Sequence, residues 1–283
     1  MSARYRDLYA AARVRLSLRL PRDEAERDAR LLLAHAAGLS AAGLSACLND
    51  LAAQNHITDF EAVVEARLAG QSVAHIIGKS AFMGLDFVVG AGDLAPRPDT
   101  ETLVEAALAH GFTRLLDLGT GTGVIAISLL AARPEAQGVA TDLDEGALAR
   151  ARQNAKTHGV AGRLQFFTGP WFAALPEPAI FDLILSNPPY IDQATYAGLP
   201  EELRLHERAA ALTDGHDGLS AYRVIAAEAG AYLARDGAVM VEIGYDQGET
   251  VPQIFAQAGF RSVRVIHDLA GKPRVVVAQA MRS

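Results

Sequence analysis

The stretch Arg114–Gly123 reads R-L-L-D-L-G-T-G-T-G and decides the fold class. A short apolar run ends in Asp117 and Leu118, three alternating glycines follow, and helix-forming residues continue from Val124. Glycines at such a turn let the backbone bend sharply and let a ligand approach without interference from a Cβ atom. A strand, a glycine turn and a helix in immediate succession are typical of open α/β sheets, which bind ligands at the carboxyl ends of their strands.

Outward from this stretch, short β-type runs alternate with helix-length segments from Phe112 to the end of the sequence. Seven strands are predicted, at Arg114–Leu118, Gly138–Thr141, Leu164–Thr168, Phe181–Ser186, Ala238–Ile243, Val263–His267 and Val275–Ala278. The clearest helices between them are Gly123–Ala132, Glu145–His158, Ala221–Arg235 and Gln247–Ala258. This alternation predicts a seven-stranded, mostly parallel, Rossmann-like sheet with helices on both faces.

The sequence before this region has a different character. Up to about Gly70 it is rich in Ala, Leu, Arg and Glu, with apolar residues at helical spacing, which predicts a small bundle of four or five helices. The run Phe82–Val89 has β-forming residues on both sides of Gly84, as a small hairpin would. We therefore expect a helical domain at 1–73, a linker with a β-hairpin at 74–98, and a catalytic domain at 99–283.

The composition sets limits on function. The chain has 283 residues, of which 50% are hydrophobic and 21% charged, a profile of globular proteins. A formal net charge of −7 argues against a protein whose main task is to grip a nucleic-acid backbone. Its single cysteine, Cys47, cannot form an internal disulfide, and no stretch approaches a membrane span. We expect a cytoplasmic protein.

The glycine turn distinguishes between two kinds of ligand. A dinucleotide fingerprint requires a third glycine at the position held by Val124, so Gly119–Gly123 follows a G-x-G-x-G pattern instead. Asp142 stands roughly 20 residues after the turn, at the end of the second strand, where a carboxylate usually accepts hydrogen bonds from ribose hydroxyls. The pattern therefore indicates an adenosyl ligand, with Gly119, Thr120, Gly121, Thr122 and Gly123 around its amino-acid and ribose parts.

A second motif follows the fourth strand at the same edge of the predicted sheet. It is Asn187-Pro188-Pro189-Tyr190. A planar nitrogen is a poor nucleophile, but it can be methylated if its two N–H groups are held so that it faces an electrophilic methyl group. The Asn187 side-chain oxygen and the Pro188 carbonyl can accept those two hydrogens, while Tyr190 can stack on the planar group. Catalysis then relies mainly on positioning.

Together these motifs make the chain similar to the HemK/PrmC family of bacterial glutamine methyltransferases that act on peptide-chain release factors. The resemblance extends from Gly78 to Val277, and N-P-P-Y itself is shared with enzymes that methylate adenine or guanine. More specific are further strings that the chain also contains, namely Phe82–Phe87, Pro96–Glu101, Asp217–Arg223, Glu242–Gly244 and Asp268–Arg274. One of them, R-P-D-T-E at Arg97–Glu101, is a more specific marker than N-P-P-Y.

The resemblance implies an S-adenosylmethionine-dependent methyltransferase whose substrate is the glutamine of a Gly-Gly-Gln loop in release factors. It implies that the cofactor contacts Gly119–Gly123, Asp142, Trp171 and Asn187. It also implies that the motif Asn187–Tyr190, including Pro189, holds the substrate glutamine, and that the helical domain helps to dock the release factor. Membrane binding and a direct role for nucleic acid are not expected.

Several alternatives remain open. The same site could serve a methyltransferase that acts on a nucleic-acid base or on a ribosomal-protein glutamine. Pro170 replaces an acidic residue usual in the family, and Arg208 stands where a proline is common. Glu242, which ends a strand at the edge that carries Asn187, could support the site or be purely structural. The eight histidines show no metal-ligand spacing, so no metal is expected.

Overall fold

The computed structural model of the protein describes residues 3–176, 179–199 and 201–280, with the side chains of 201–203 left out. The chain forms two compact units. One contains the described residues up to Lys79 together with 201–206. The other contains the described residues from Ser80 to Leu199 and from Glu207 onward.

The first unit is built from helices, as the sequence predicts. They pack around a buried core that includes Leu16, Leu32, Leu33 and Phe60. The helices are α1 Tyr5–Leu16, α2 Arg22–Ala36, α3 Ala41–Cys47, α4 Gln54–Leu68 and α5 Val73–Ile77, with α10 Glu201–His206 later in the chain. No single helix among the described residues is long and apolar enough to cross a membrane, although α2 and α3, bent by 88° from each other, pass that test as a pair.

A buried ion pair joins two helices of this unit. The Arg67 guanidinium on α4 lies 2.8 Å from the Asp28 carboxylate and 3.1 Å from that of Glu24, both on α2. The Asp28 side chain is only 3% exposed, so it depends on charged partners inside the unit.

The second unit contains a seven-stranded sheet, which confirms the predicted fold class. Its strand order is β5-β4-β3-β6-β7-β9-β8, and only the pairings of β9 with β7 and β8 are antiparallel. The strands are β3 Arg114–Leu118, β4 Gln137–Asp142, β5 Leu164–Thr168, β6 Phe181–Ser186, β7 Leu233–Glu242, β8 Arg261–His267 and β9 Pro273–Gln279. The helices are α6 Glu101–His110, α7 Val124–Ala132, α8 Glu145–Thr157, α9 Gln193–Gly198, α11 Ala209–Leu212, α12 Ser220–Glu228 and α13 Thr250–Gln257.

The central strands are apolar on both faces because helices cover both. On β3, the side chain of Leu115 packs into one core and that of Leu116 into the opposite core, and on β6 Leu183 and Ile184 divide in the same way. This explains why the strands read as continuous apolar runs instead of alternating patterns.

A small hairpin precedes the sheet domain, as predicted from the run around Gly84. It consists of β1 Lys79–Phe82 and β2 Leu85–Val88. The buried side chain of Asn154, on α8, accepts a hydrogen bond from the Val88 amide at 2.8 Å and donates to the Val88 carbonyl at 3.1 Å. The side-chain nitrogen of Asn154 also donates to the carbonyl of Thr122 in the glycine turn, at 2.9 Å. One side chain thus connects the hairpin, α8 and the turn.

The boundary between α12 and β7 differs from the sequence-based expectation. The predicted helix Ala221–Arg235 ends as an α-helix at Glu228, and β7 begins at Leu233, five residues before the predicted strand start. Leu233 pairs with Phe181, and the register then shifts before Leu183. The segment Arg235-Asp236-Gly237 is therefore an irregularity inside the strand.

Replacement of Arg67 by alanine is expected to destabilise the helical unit by about 2 to 3 kcal/mol, because it leaves Asp28 buried without its closest cation. Hydrogen exchange of the α2 and α4 amides measures the loss. The control is Arg22→Ala, which removes an exposed pair with Glu26 at 3.4 Å and should cost no more than about 0.5 kcal/mol. Equal protection in the two variants would contradict a stabilising role for the buried pair.

Candidate active site

The glycine turn lies between β3 and α7. Gly119, Gly121 and Gly123 all have positive φ, at 69°, 57° and 86°, a region that favours glycine. A Cβ on Gly123 would also lie only 2.7 Å from the Ile127 side chain. The amides of Gly119 and Thr120 both donate to the Thr141 carbonyl at 2.9 Å. The turn is therefore fixed against β4.

The buried carboxylate of Asp117, in β3, stabilises this turn. Asp117 is completely buried and accepts hydrogen bonds from the Thr120 hydroxyl at 2.6 Å and the Ala126 amide at 3.3 Å. Its second oxygen has no hydrogen-bond partner among the described residues. Burial raises the pKa of Asp117 to about 6, against the lowering effect of these hydrogen bonds.

Asp142 ends β4 and faces the turn. Its carboxylate accepts hydrogen bonds from the Gly121 amide at 2.7 Å and the Asp144 amide at 2.9 Å. Burial raises its pKa, while the Gly121 amide and the charge of Arg208 act in the opposite direction. Each carboxylate oxygen of Asp142 accepts one backbone N–H, so each still has a lone pair that can accept a hydrogen bond from a ligand in the adjoining pocket.

Trp171 forms an aromatic wall next to the turn. Its φ is 45°, unusual for a residue other than glycine, and it starts a short 3-10 helix, Trp171–Ala174. A Cβ on Gly119 would lie 3.6 Å from the Trp171 ring, so the ring packs directly on the glycine turn. Pro170 also lines the pocket.

Asn187 directly follows β6, which neighbours β3 in the sheet. Its side-chain nitrogen donates to the Thr100 hydroxyl at 3.2 Å, while its side-chain oxygen has no partner among the described residues. An unsatisfied acceptor here can receive an N–H from a bound molecule.

The end of the N-P-P-Y motif is held by a buried network. Gln247 donates to the carbonyl of Tyr190 at 3.0 Å, and its side-chain oxygen accepts from the Tyr222 hydroxyl at 3.3 Å. Gly218 has a φ of 72°, and a Cβ there would lie 2.3 Å from the Tyr190 carbonyl oxygen. Burial raises the pKa of the Tyr190 phenol, which makes it unsuited to act as a base.

Most of the predicted site residues line one pocket of the second unit, while Gly123 and Tyr190 lie beside it. The lining includes Gly119, Thr120, Gly121, Thr122, Asp142, Trp171, Asn187, Pro188 and Pro189. No cluster of three or more possible metal-binding side chains occurs in the part of the chain that the structure describes.

The structure adds pocket residues that sequence reasoning did not assign. Arg97 and Thr100 line the pocket, and both belong to the R-P-D-T-E string. Thr100 is the N-cap residue of α6, but its side chain makes no cap hydrogen bond, and its hydroxyl accepts from Asn187 instead. Asp99, from the same string, pairs with Arg274 at 2.9 Å. The R-P-D-T-E string is the sequence feature that could have indicated these residues, because its side chains contact the pocket and distant segments as well as starting α6.

Arg208, one of the two departures from the family pattern, also lines the pocket. Its guanidinium pairs with Asp93 at 3.3 Å and with Asp144, while Arg150 donates to both carboxylate oxygens of Asp93. The substitution for proline thus adds a cation that is compensated by carboxylates of the same unit.

Comparison with known proteins identifies both parts of the chain. Residues 7–78 match the family model of the PrmC N-terminal domain, and residues 97–216 match that of the methyltransferase small domain. A methyltransferase from Pyrococcus furiosus has a similar structure, with a TM-score of 0.54 at 20% identity over 76% of this chain and 96% of that one. At this identity the similarity concerns the fold alone.

Sequence relatives are much closer. The release factor glutamine methyltransferase of Cereibacter sphaeroides is 50% identical over 257 residues, which cover 91% of this chain and 92% of that protein. The enzyme of the same name from Agrobacterium fabrum is 40% identical over 88% of both chains. With this identity over nearly its full length, the chain belongs to the family of release factor glutamine methyltransferases.

Proposed function

We propose that the protein transfers a methyl group from S-adenosylmethionine to the side-chain amide nitrogen of the glutamine in the Gly-Gly-Gln loop of peptide-chain release factors. The names of the relatives support the substrate. The observation that carries the proposal is the unsatisfied Asn187 oxygen, which lies in the wall of the same pocket as the glycine turn.

The residues of the pocket fit the cofactor. The turn at Gly119–Gly121 lets a ligand approach the backbone, and Asp142 retains lone pairs for the two ribose hydroxyls. Trp171 offers an aromatic face for the adenine. S-adenosylmethionine, when bound, supplies an electrophilic methyl carbon on a positively charged sulfur.

The motif after β6 would hold the acceptor nitrogen. In our proposal the glutamine amide donates one N–H to the Asn187 oxygen and the other to the Pro188 carbonyl, which directs the nitrogen lone pair toward the methyl carbon. The methyl group would pass from sulfur to this nitrogen as the S–C bond breaks, and the amide would release one N–H proton to solvent. Most of the rate enhancement would come from this alignment.

The remaining residues of the motif would support that geometry. Proline at 188 and 189 restricts the backbone and offers no competing N–H group. Tyr190 would stack on the planar amide, while the hydrogen bond from Gln247 to the Tyr190 carbonyl at 3.0 Å keeps the loop in place.

We further propose that the helical residues 1–73 help to dock the release factor, with 74–98 as the linker and 99–283 as the methyltransferase domain. The match of residues 7–78 to the PrmC N-terminal domain supports this division. Since release factors act on ribosomes, we place the reaction in the cytoplasm.

Purified protein with labelled S-adenosylmethionine is expected to label a release factor on the glutamine of its Gly-Gly-Gln loop. Changing that glutamine to alanine in the substrate should abolish labelling, because no other nitrogen would be held in the pocket. Mass mapping of the methylated peptide locates the label. Strong labelling of RNA, DNA or a ribosomal protein, with none on the release factor, would overturn the proposed substrate.

Replacement of Asn187 by alanine should reduce turnover by about a hundredfold or more, since misplacement of the acceptor nitrogen is costly. Cofactor affinity should change less than about tenfold, because most contacts to the adenosyl group come from other residues. Single-turnover kinetics and calorimetric titration with S-adenosylhomocysteine measure the two effects. Gln153→Ala, an exposed amide on α8, serves as control, and normal turnover in Asn187→Ala would refute the positioning mechanism.

A further inference from the structure

Glu242 is a buried acid whose carboxylate lacks an ordinary hydrogen bond. It is the last residue of β7 and is completely buried. Neither of its carboxylate oxygens has a hydrogen-bond partner of normal geometry among the described residues. The preceding residue, Val241, pairs with Ser186 on β6, so Glu242 lies level with Asn187 at the carboxyl edge of the sheet. A buried carboxylate without a hydrogen bond costs stability, which a purely structural role does not explain.

The groups that act on Glu242 come from several segments of the second unit. They are the Thr100 hydroxyl, the cations of Arg97 and Arg274, the Asp99 carboxylate and the phenols of Tyr190 and Tyr222. Burial raises the pKa of Glu242 to about 7, while the Thr100 hydroxyl and the charge of Arg274 act against this rise. Both the charged and the neutral form are therefore populated near neutral pH.

Thr100 connects this acid to the proposed catalytic amide. Its hydroxyl accepts a hydrogen bond from the Asn187 side-chain nitrogen at 3.2 Å. A hydroxyl has one proton to donate and can also accept, so by itself it can satisfy either end of an asparagine side chain. The group that accepts the hydrogen bond from the Thr100 hydroxyl therefore determines whether Asn187 presents its oxygen or its nitrogen to the pocket.

We propose that Glu242 is a positioning residue: its carboxylate accepts a hydrogen bond from the Thr100 hydroxyl. Thr100 can then only accept from Asn187, which turns the Asn187 oxygen toward the substrate. This inference rests on the proposed function, because the oxygen so presented is the acceptor for the substrate amide. Glu242 and Thr100 act through Asn187 and do not touch the reacting atoms.

Protonation of Glu242 removes this constraint. A neutral carboxyl can donate to the Thr100 oxygen, and the Thr100 proton is then available to the Asn187 oxygen. The amide can turn and present its nitrogen, a donor, to a substrate that also offers donors. The active form is thus the charged carboxylate, so the methylation rate increases as the pH rises through about 7.

Cofactor binding should shift this transition. A bound sulfonium cation favours the carboxylate, which lowers the pKa of Glu242 in the complex. The pH profile of kcat/KM for the cofactor reports the free enzyme and should rise near pH 7, while the profile of kcat should rise at a lower pH.

The kinetic test uses three variants of the full chain with release factor as substrate. Glu242→Gln stays neutral at every pH, so its profile should be flat and its plateau lower by about tenfold or more. Thr100→Val should be slow at every pH because the hydroxyl is lost, and Thr100→Ser should restore the rate and the profile of the original protein. Asp182→Asn, at the opposite end of β6, is the control for removal of a carboxylate and should keep the normal profile.

A second measurement does not depend on activity. The NMR signals of the Asn187 side-chain amide, identified by their absence in Asn187→Ala, should shift between pH 5.5 and 8.5 with a midpoint of about 7 and should not shift in Glu242→Gln. The groups named around Glu242 include no histidine that could cause the same transition.

The combined outcomes separate the two hypotheses. Titration of the Asn187 signals without methylation of any release factor would refute the proposed function but support the positioning role. Asn187 signals that do not respond to pH, or that respond equally in Glu242→Gln, would overturn the positioning role even if release factors are methylated. A normal pH profile in Glu242→Gln would also overturn it.

Discussion

The arrangement of the site depends on the parallel pairing of β3 with β6. Leu118 and Ser186, the last residues of these strands, are partners in the register, and the Ser186 hydroxyl donates to the Leu118 carbonyl at 2.7 Å. The residues that follow, Gly119 and Asn187, therefore start side by side. In the proposed reaction the glycine turn admits the cofactor and the N-P-P-Y motif holds the acceptor. These two segments must then be adjacent, and two neighbouring parallel strands achieve this without any long loop.

Most of the fold, and the adjacency of the glycine turn and the N-P-P-Y motif, could be predicted from the sequence because the relevant signals are local. Apolar runs followed by glycine or by N-P-P-Y locate the strand ends, and the rule for parallel sheets places these ends together. The boundary of β7 could not be predicted, since Leu233 joins the sheet through pairing with Phe181, a residue distant in the sequence. Propensity has little influence where tertiary pairing decides.

Contacts between distant residues also limit what the sequence can predict about the candidate site. Thr100 precedes a helix and has a residue type that favours N-caps, but its hydroxyl bonds to a residue 87 positions away. The role of Gln247, which spans Tyr190 and Tyr222, likewise depends on three segments that meet only in the folded chain. Local patterns predict which elements form and where they end, whereas contacts between distant side chains require the three-dimensional arrangement.

Asn154 has a consequence for how the protein interacts with other chains. By bonding to both the amide and the carbonyl of Val88, it takes the position that another strand would occupy beside β2. Two-stranded hairpins have exposed edges that can recruit strands from other molecules and so promote aggregation. A single buried amide thus closes one such edge and, through its bond to the Thr122 carbonyl, makes the same residue part of the support for the glycine turn.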